Sequence, residues 1–195
     1  MSDRTLPSIA RYRLLLWSLL ALVASATAHA QTPLEIDPAR SEVGFAATQM
    51  GVTVKGGFSE WSADIQLDTE TPANSSARVV VQTASIDTGH GDTDKEVKRK
   101  NWLAVEQFPT AVFESSTVER VDAQQWRAEG SLRIRDRSEP VTVEFTMEDV
   151  NGSRHIKGGF TIQRATFNVG GGAWGDFDVV ANDVRIQFSL YGATP

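Results

Sequence analysis

Cysteine is absent from the 195-residue chain. This absence excludes disulfides, thiol nucleophiles, iron–sulfur clusters and zinc–thiolate sites. Long apolar runs are scarce too: the run from Leu14 to Val23 has about ten residues, whereas a membrane-spanning helix needs roughly 20. The stability of the folded domain must therefore come from packing, and no membrane-spanning helix is expected in it.

Basic residues are outnumbered in this chain. It has 19 Lys and Arg against 25 Asp and Glu, which gives a formal charge of −6. An acidic chain without a basic run is repelled by phosphate backbones and by anionic membrane surfaces. Nucleic acid is therefore not expected as a partner.

Histidine is rare as well, with three in the chain. After residue 30 only His90 and His155 occur, and His155 lies in the polar phase of its segment, so a Ser-His-Asp arrangement could use only His90. The Gly-rich acidic loop around His90 lacks a nucleophile elbow. It also lacks the Gly and the closing Glu of an EF-hand, although it carries Asp87, Asp92 and Asp94. We predict no enzyme activity, no metal site and, without a Rossmann or P-loop glycine pattern, no nucleotide cofactor.

The first thirty residues have the order of an export signal. Arg4, Arg11 and Arg13 precede the apolar run, and small residues then lead to Ala28-His29-Ala30. This order is typical of a cleaved secretory signal peptide, and an uncleaved membrane anchor is the alternative. We predict cleavage of residues 1–30, export, and one mature domain over residues 31–195 with a formal charge of −8.

Apolar residues alternate with polar ones along most of the mature chain, which indicates strands with one buried face. Turn-rich pieces such as Asn74-Ser75-Ser76 and Asn151-Gly152 separate these segments. The predicted fold is all-β and antiparallel, with eight or nine strands. The alternation itself fits a sandwich or a closed barrel equally well.

One segment departs from the alternation. Residues 92–100 begin with acids, end with bases and contain no Gly or Pro, which predicts a short surface helix. Trp102, Leu103 and Phe108 follow it, and they could form a lid over a barrel mouth or pack as ordinary core. The text Lys-Gly-Gly-Phe, at residues 55–58 and 157–160, predicts strand curvature, with direct ligand contact as the alternative.

A set of short motifs occurs in one order along the mature chain. These are Phe45 with Gly51, Gly57-Phe58, Ser85-Ile86-Asp87-Thr88, Trp102 with Phe108-Pro109, Phe113-Glu114-Ser115, Gly130-Ser131-Leu132, Pro140-Val141, and Arg164 before Phe167. This order resembles the YceI-like family of polyisoprenoid-binding periplasmic proteins. The resemblance implies a lipocalin-like antiparallel β-barrel of about eight strands, whose interior holds the isoprenoid tail of a quinone or of a polyprenyl phosphate.

The resemblance also implies a location and a partner. The chain is expected in the periplasm as a binding or transport protein, with the bound lipid as its ligand and no other cofactor. Residues 170–174 and Asp183-Val184 resemble a branch that is associated with a membrane b-type cytochrome, so a quinone-handling accessory of a separate cytochrome is the alternative function. Residues 92–97 depart from the Arg-Asp-x-His-Leu pattern of many members, and the head-group role of that pattern does not carry over.

A polyprenyl chain needs a continuous apolar lining with a few polar groups at its head. The predicted ligand-binding residues are Phe45, Val52, Phe58, Trp102, Phe108, Phe113, Leu132, Phe145, Phe160, Arg164, Trp174 and Phe188. Any one of these apolar side chains could instead be plain core, because small barrels fill their interiors. Arg164 could pair with a quinone oxygen or a phosphate, or it could form an ion pair with Asp176 or Asp178.

Overall fold

The computed structural model describes residues 32–193, and the predicted signal peptide lies outside them. The strands are Thr32–Pro33 (β1), Glu35–Ile36 (β2), Glu42–Gln49 (β3), Val52–Phe58 (β4), Trp61–Leu67 (β5), Ser76–Gln82 (β6), Ile86–Asp87 (β7), Thr110–Arg120 (β8), Gln125–Ile134 (β9), Arg137–Val150 (β10), Ser153–Gln163 (β11) and Val180–Ala193 (β12). One α-helix, α1, covers Gly91–Val97. The all-β prediction is confirmed.

All the strands belong to one antiparallel sheet that curls into a barrel-like shell. The ladder order is β1-β5-β6-β8-β9-β10-β11-β12-β3-β4-β7, and β2 pairs with β12. Nine of these strands have seven or more residues, which agrees with the eight or nine predicted from the alternation. Strands β4 and β5 lie at opposite ends of the ladder although only Ser59 and Glu60 separate them in the chain.

The predicted alternation sets the inner face of the shell. In β10, Val143 and Met147 are 5% and 7% exposed, whereas Glu144 and Glu148 between and beyond them are exposed. The same phase buries Trp126 and Ala128 in the neighbouring strand β9. Because strand side chains point alternately to the two faces, this pattern places one continuous apolar surface inside the curl.

Helix α1 ends three residues before the predicted end. The chain leaves the helix at Lys98 and turns, with the amide of Leu103 donating to the carbonyl of Val97. Thr88 precedes the helix, and its amide and hydroxyl donate hydrogen bonds of 2.8 and 2.7 Å to the carboxylate of Asp94 within α1. These bonds lower the pKa of Asp94, because they favour the ionised carboxylate. The loop before α1 is thus tied at Thr88 to a carboxylate in the helix.

The two Lys-Gly-Gly-Phe segments lie in β4 and β11, and the strand register runs through both without a bulge. A Cβ at Gly56 would come 2.5 Å from Cζ of Phe45, and one at Gly158 would come 2.6 Å from Cβ of Phe145. Both glycines therefore make room for a phenylalanine on the adjacent strand. The observed reason for glycine at these positions is this close approach, in a sheet that is curled as a whole.

Candidate ligand-binding site

Two apolar cavities lie inside the curled sheet. The larger has a volume of about 430 Å³ and lies beneath α1, between strands β3, β11 and β12. The smaller has a volume of about 140 Å³ and is enclosed by β5, β6, β8, β9 and β10 among others. Ile186 lines both. The larger cavity falls within the 300–1,000 Å³ that is usual for small-molecule sites.

Ten of the twelve predicted ligand-binding residues line these cavities. The larger cavity is lined by Phe45, Phe58, Trp102, Arg164 and Trp174. The smaller is lined by Phe113, Leu132, Phe145, Phe160 and Phe188. The strand phase thus brings together side chains that are far apart in the sequence. Their contact with a ligand stays a prediction.

Val52 and Phe108 line neither cavity. Val52 shares the inward phase of Val54, but it is 66% exposed because it begins its strand beside the tip of the hairpin. Phe108 lies in the connection before β8, where its ring faces the guanidinium of Arg135 with 5.5 Å between that group's carbon and the ring centre. Strand phase does not reveal where a strand leaves the core, as at Val52. Contact of either residue with a ligand stays a prediction.

Arg164 is the most deeply buried charged side chain of the described residues, with 2% exposed. Its guanidinium donates five hydrogen bonds of 2.7–3.1 Å to the backbone carbonyls of Val169, Gly170, Trp174, Val180 and Ala181. A guanidinium has five N–H donors, so all are used. Burial lowers the pKa of Arg164. Among the described residues, Arg164 forms no ion pair with Asp176 or Asp178, the alternative that the sequence left open. A hydrogen bond from Arg164 to the head group of a ligand would require one of these N–H groups to leave its carbonyl.

The segments around Arg164 and Trp102 form a lid over the larger cavity. The carbonyl of Asn101 accepts from the amides of Gly170 and Gly171, both at 2.8 Å, which joins the two connections. The indole N–H of Trp174 donates to Glu96 of α1 at 3.0 Å. The rings of Trp102 and Trp174 lie 5.7 Å apart. The sequence left open whether Trp102 lies in a lid or in the core, and in the structure it lies in the lid.

The two tryptophans of the lid differ in one respect. The indole N–H of Trp174 donates a hydrogen bond to Glu96. The Nε1 of Trp102 is buried and has no hydrogen-bond partner among the described residues. Buried donors are nearly always paired in native proteins, because an unpaired one costs about 1–3 kcal/mol. The ring of Trp102 lines the cavity, whereas its Nε1 is shielded from it.

Sequence reasoning missed two groups of lining residues. The first is apolar, including Ile134, Ile162 and Ile186, and the same period-two alternation could have found it. The second is polar and includes Thr88 and Glu96. No sequence pattern identifies these, because the side of α1 that faces the cavity depends on how the helix docks on the sheet.

One further cluster lies outside the cavities, on strands β10, β11 and β12. Nε2 of His155 lies 2.9 Å from Oγ of Ser189, and Nδ1 lies 3.4 Å from Glu148. The ring stacks on Tyr191 with 4.1 Å between ring centres. The expectation that only His90 could join such an arrangement is therefore wrong: cross-strand neighbours on one face of a sheet brought Ser, His and Glu together. Neither cavity is lined by these residues.

Comparison with known proteins identifies relatives of this chain. A model of the YceI-like domain matches residues 34–191. Among solved structures, BcnA of Burkholderia cenocepacia is 32% identical, with a TM-score of 0.78 over 80% of this chain and 99% of that one. A polyisoprenoid binding domain from Saccharophagus degradans, implicated in plant cell wall breakdown, has a TM-score of 0.65 at 11% identity, covering 85% of this chain and 100% of that one. The latter likeness concerns the fold alone.

Curated sequences add a shorter match. A UPF0312 protein of Yersinia enterocolitica and one of Yersinia pestis are each 34% identical over 89 residues, which is 46% of this chain. The match spans about half the length of these relatives, 46% of each. Among the described residues, no helix has the length and apolar character needed to cross a membrane.

Proposed function

Since the chain belongs to the YceI-like family, we propose that it binds a long-chain isoprenoid lipid inside its curled sheet and carries it in the periplasm. The observation that supports this most is the pair of apolar cavities that meet at Ile186. A chain that begins under the lid and passes Ile186 would contact aromatic side chains of both cavities. Burial of apolar area gives about 25 cal/mol per Å², so a long tail needs few hydrogen bonds. The name of the Saccharophagus degradans domain agrees with this ligand class.

Native mass spectrometry of the purified protein, followed by organic extraction, tests the proposal. We expect a co-purifying lipid whose mass matches an isoprenoid. Repeated isolation of protein without any bound lipid would contradict binding. Secretion is tested separately, by the mass of the exported chain and its recovery from the periplasm.

A matched pair of variants locates the ligand. Ile186→Trp places an indole where the two cavities meet, and we expect less bound lipid or shorter tails. Gln187→Trp, one residue further on, changes the outer face of the same strand and should keep the full amount. Equal lipid in both variants would place the ligand outside the cavities.

We propose further that the chain binds without catalysing a reaction. Ser189, His155 and Glu148 lie on strands whose backbone amides are engaged in sheet ladders, which leaves no preorganised pair of N–H groups for an oxyanion. A fluorophosphonate probe should therefore fail to label Ser189. Labelling that disappears in Ser189→Ala would overturn this part of the proposal.

Quinone handling for a separate membrane b-type cytochrome stays a prediction. It would be tested by co-purification of the tagged protein from solubilised membranes, with the haem absorbance of the eluate as the readout. The Ile186→Trp variant serves as a control there, because it alters the cavities and leaves the outer surface unchanged.

A further inference from the structure

The inward-facing residues of β12 follow the length of the interior. Those that line the cavities are, in order from the lid, Val180, Val184, Ile186, Phe188 and Leu190. The first two belong to the larger cavity, the last two to the smaller, and the middle residue to both. Because a strand rises about 3.3 Å per residue, these positions extend over roughly 30 Å. The next inward position on β12 therefore lies at the end of the interior opposite the lid.

That position is Gly192, and the side chain of Leu34 fills the space beside it. A Cβ at Gly192 would come 2.5 Å from Cγ of Leu34. Leu34 is 4% exposed and belongs to the same buried cluster as Ile65 and Leu67, which line the smaller cavity. The leucine thus occupies the place where the interior would otherwise continue past Leu190.

Leu34 lies in a short segment, residues 32–36, which we call the N-terminal strap. Its first strand, β1, pairs with β5, and its second, β2, pairs with β12. Five strands lie between β5 and β12 in the ladder, so the strap joins two distant strands of the curled sheet. Between β1 and β2, the amide of Leu34 donates to the carbonyl of Ile65 at 2.9 Å. This bond and the two pairings fix the leucine across the end of the interior.

We propose that Leu34 is a specificity-determining residue, which forms the floor of the interior and sets the longest isoprenoid tail that the protein accepts. The inference rests on the proposed isoprenoid binding and adds the length of the tail as a selected feature. A tail that enters under the lid gains apolar contacts along β12 until its end reaches Leu34. A further isoprene unit must displace a packed leucine or remain outside the cavities.

A series of isoprenoid alcohols that differ only in the number of isoprene units tests the floor. The measurement is displacement of a fluorescent lipid from the delipidated protein. For the unmodified protein, we expect the affinity to rise with each unit up to a limiting length and then to stop rising. In Leu34→Ala, the alcohol one unit longer than this limit should bind about tenfold more tightly than the alcohol at the limit, because the shortened side chain leaves room for about three more carbon atoms.

Glu35→Ala is the matched control, because Glu35 is exposed and follows Leu34 in the strap. It should keep the limiting length of the unmodified protein. A limiting length that is the same in Leu34→Ala, or an affinity that rises without limit in the unmodified protein, would overturn the role of Leu34 and leave isoprenoid binding standing. Failure of every alcohol to bind would overturn the proposed function itself.

Photolabelling of the unmodified protein decides the question if Leu34→Ala does not fold. The probe is an isoprenoid alcohol of the limiting length with a diazirine at the far end of its tail, and peptide mass spectrometry identifies the labelled residues. We expect labels in the strap and at residues 190–192. Labels confined to the lid, around Trp102 and Trp174, would overturn the proposal, because the tail would then end at the opposite side of the interior.

Discussion

At the scale of single residues, a few buried polar groups have a large effect on the local conformation of the backbone. Arg164 is a charged side chain with 2% exposure whose hydrogen-bond partners are all main-chain carbonyls. Three of those carbonyls, of Val169, Gly170 and Trp174, belong to the connection between β11 and β12, and those of Val180 and Ala181 begin β12. One side chain thus shapes a loop that covers the cavity.

Arg164→Lys should destabilise the protein although it keeps the charge. An ammonium is a compact donor that cannot reach five carbonyls at once, so buried acceptors lose their partners. We expect a loss of about 3 kcal/mol in the free energy of unfolding, measured by urea titration. The control is Arg185→Lys, on the exposed face of β12, with an expected change within about 0.5 kcal/mol. Equal effects of the two changes would contradict the role given to Arg164.

Asp94 should make stability depend on pH in the acid range. The hydrogen bonds from Thr88 lower its pKa in the folded state, so the unfolded state binds the proton more readily. The resulting stability is present above the ordinary pKa of an aspartate, about 4, and is lost as the pH falls through the lowered value. Asp94→Asn should flatten this part of the pH profile in urea titrations.

The control for Asp94 lies on the same helix. Asp92→Asn removes an exposed carboxylate whose partner is Lys95, and the slope of stability against pH should stay close to that of the unmodified protein. A profile for Asp94→Asn that matches the unmodified protein would show that the Thr88 bonds do not persist in solution.

At the scale of elements, the strands follow the sequence closely and the connections do not. The eight or nine strands predicted from the alternation correspond in number to the nine long strands, β3 to β6 and β8 to β12, because period-two burial is a local property of the chain. The helix was predicted over 92–100 and is observed over Gly91–Val97, and residues 98–104 form turns with local hydrogen bonds. The carbonyls of Asn101 and Trp102 in these turns accept bonds from distant segments, which the sequence does not reveal. The glycines of β4 and β11 were recognised as special, but the phenylalanine that each accommodates depends on strand register.

Gly56→Ala should test this close packing. The added Cβ would clash with Cζ of Phe45 and with the carbonyl oxygen of Asp87, at 2.5 and 2.6 Å. Relief requires a shift of the strand or of the ring, so we expect a loss of about 1–3 kcal/mol and weaker ligand binding, because Phe45 lines the cavity. Thermal unfolding and lipid displacement measure the two effects.

The neighbouring glycine is the natural comparison. At Gly57 the added Cβ would have 3.3 Å to the carbonyl oxygen of Val43, so Gly57→Ala should cost less than Gly56→Ala. A larger loss for Gly57→Ala would contradict the idea that the room for Phe45 is what makes glycine necessary.

At the scale of the whole molecule, the internal cavities link ligand binding to stability. A ligand in the cavities of about 430 and 140 Å³ would add dispersion contacts to their linings. A ligand that binds only the folded state stabilises it by about 2.7 kcal/mol at one hundred times its dissociation constant. For a domain of this size, each kcal/mol raises Tm by about 2–4 °C.

Removal of bound lipid should therefore lower Tm by roughly 5–10 °C, and addition of an isoprenoid quinone should restore it. The Ile186→Trp variant should show a smaller response, because the indole occupies part of the cavity. A Tm that does not change with added lipid would mean that the folded state gains nothing from the ligand.

The amino-acid sequence by itself determined the strand segments, their inward faces, the family and the aromatic residues of the cavity linings. These follow from residue order and from alternation, which act over a few neighbours. The tertiary structure alone decided that Val52 and Phe108 lie outside the cavities, that Arg164 serves its own loop, and that Ser189 meets His155. Each of these depends on contacts between segments far apart in the chain. Strand register and the docking of the helix on the sheet determine which of these segments meet.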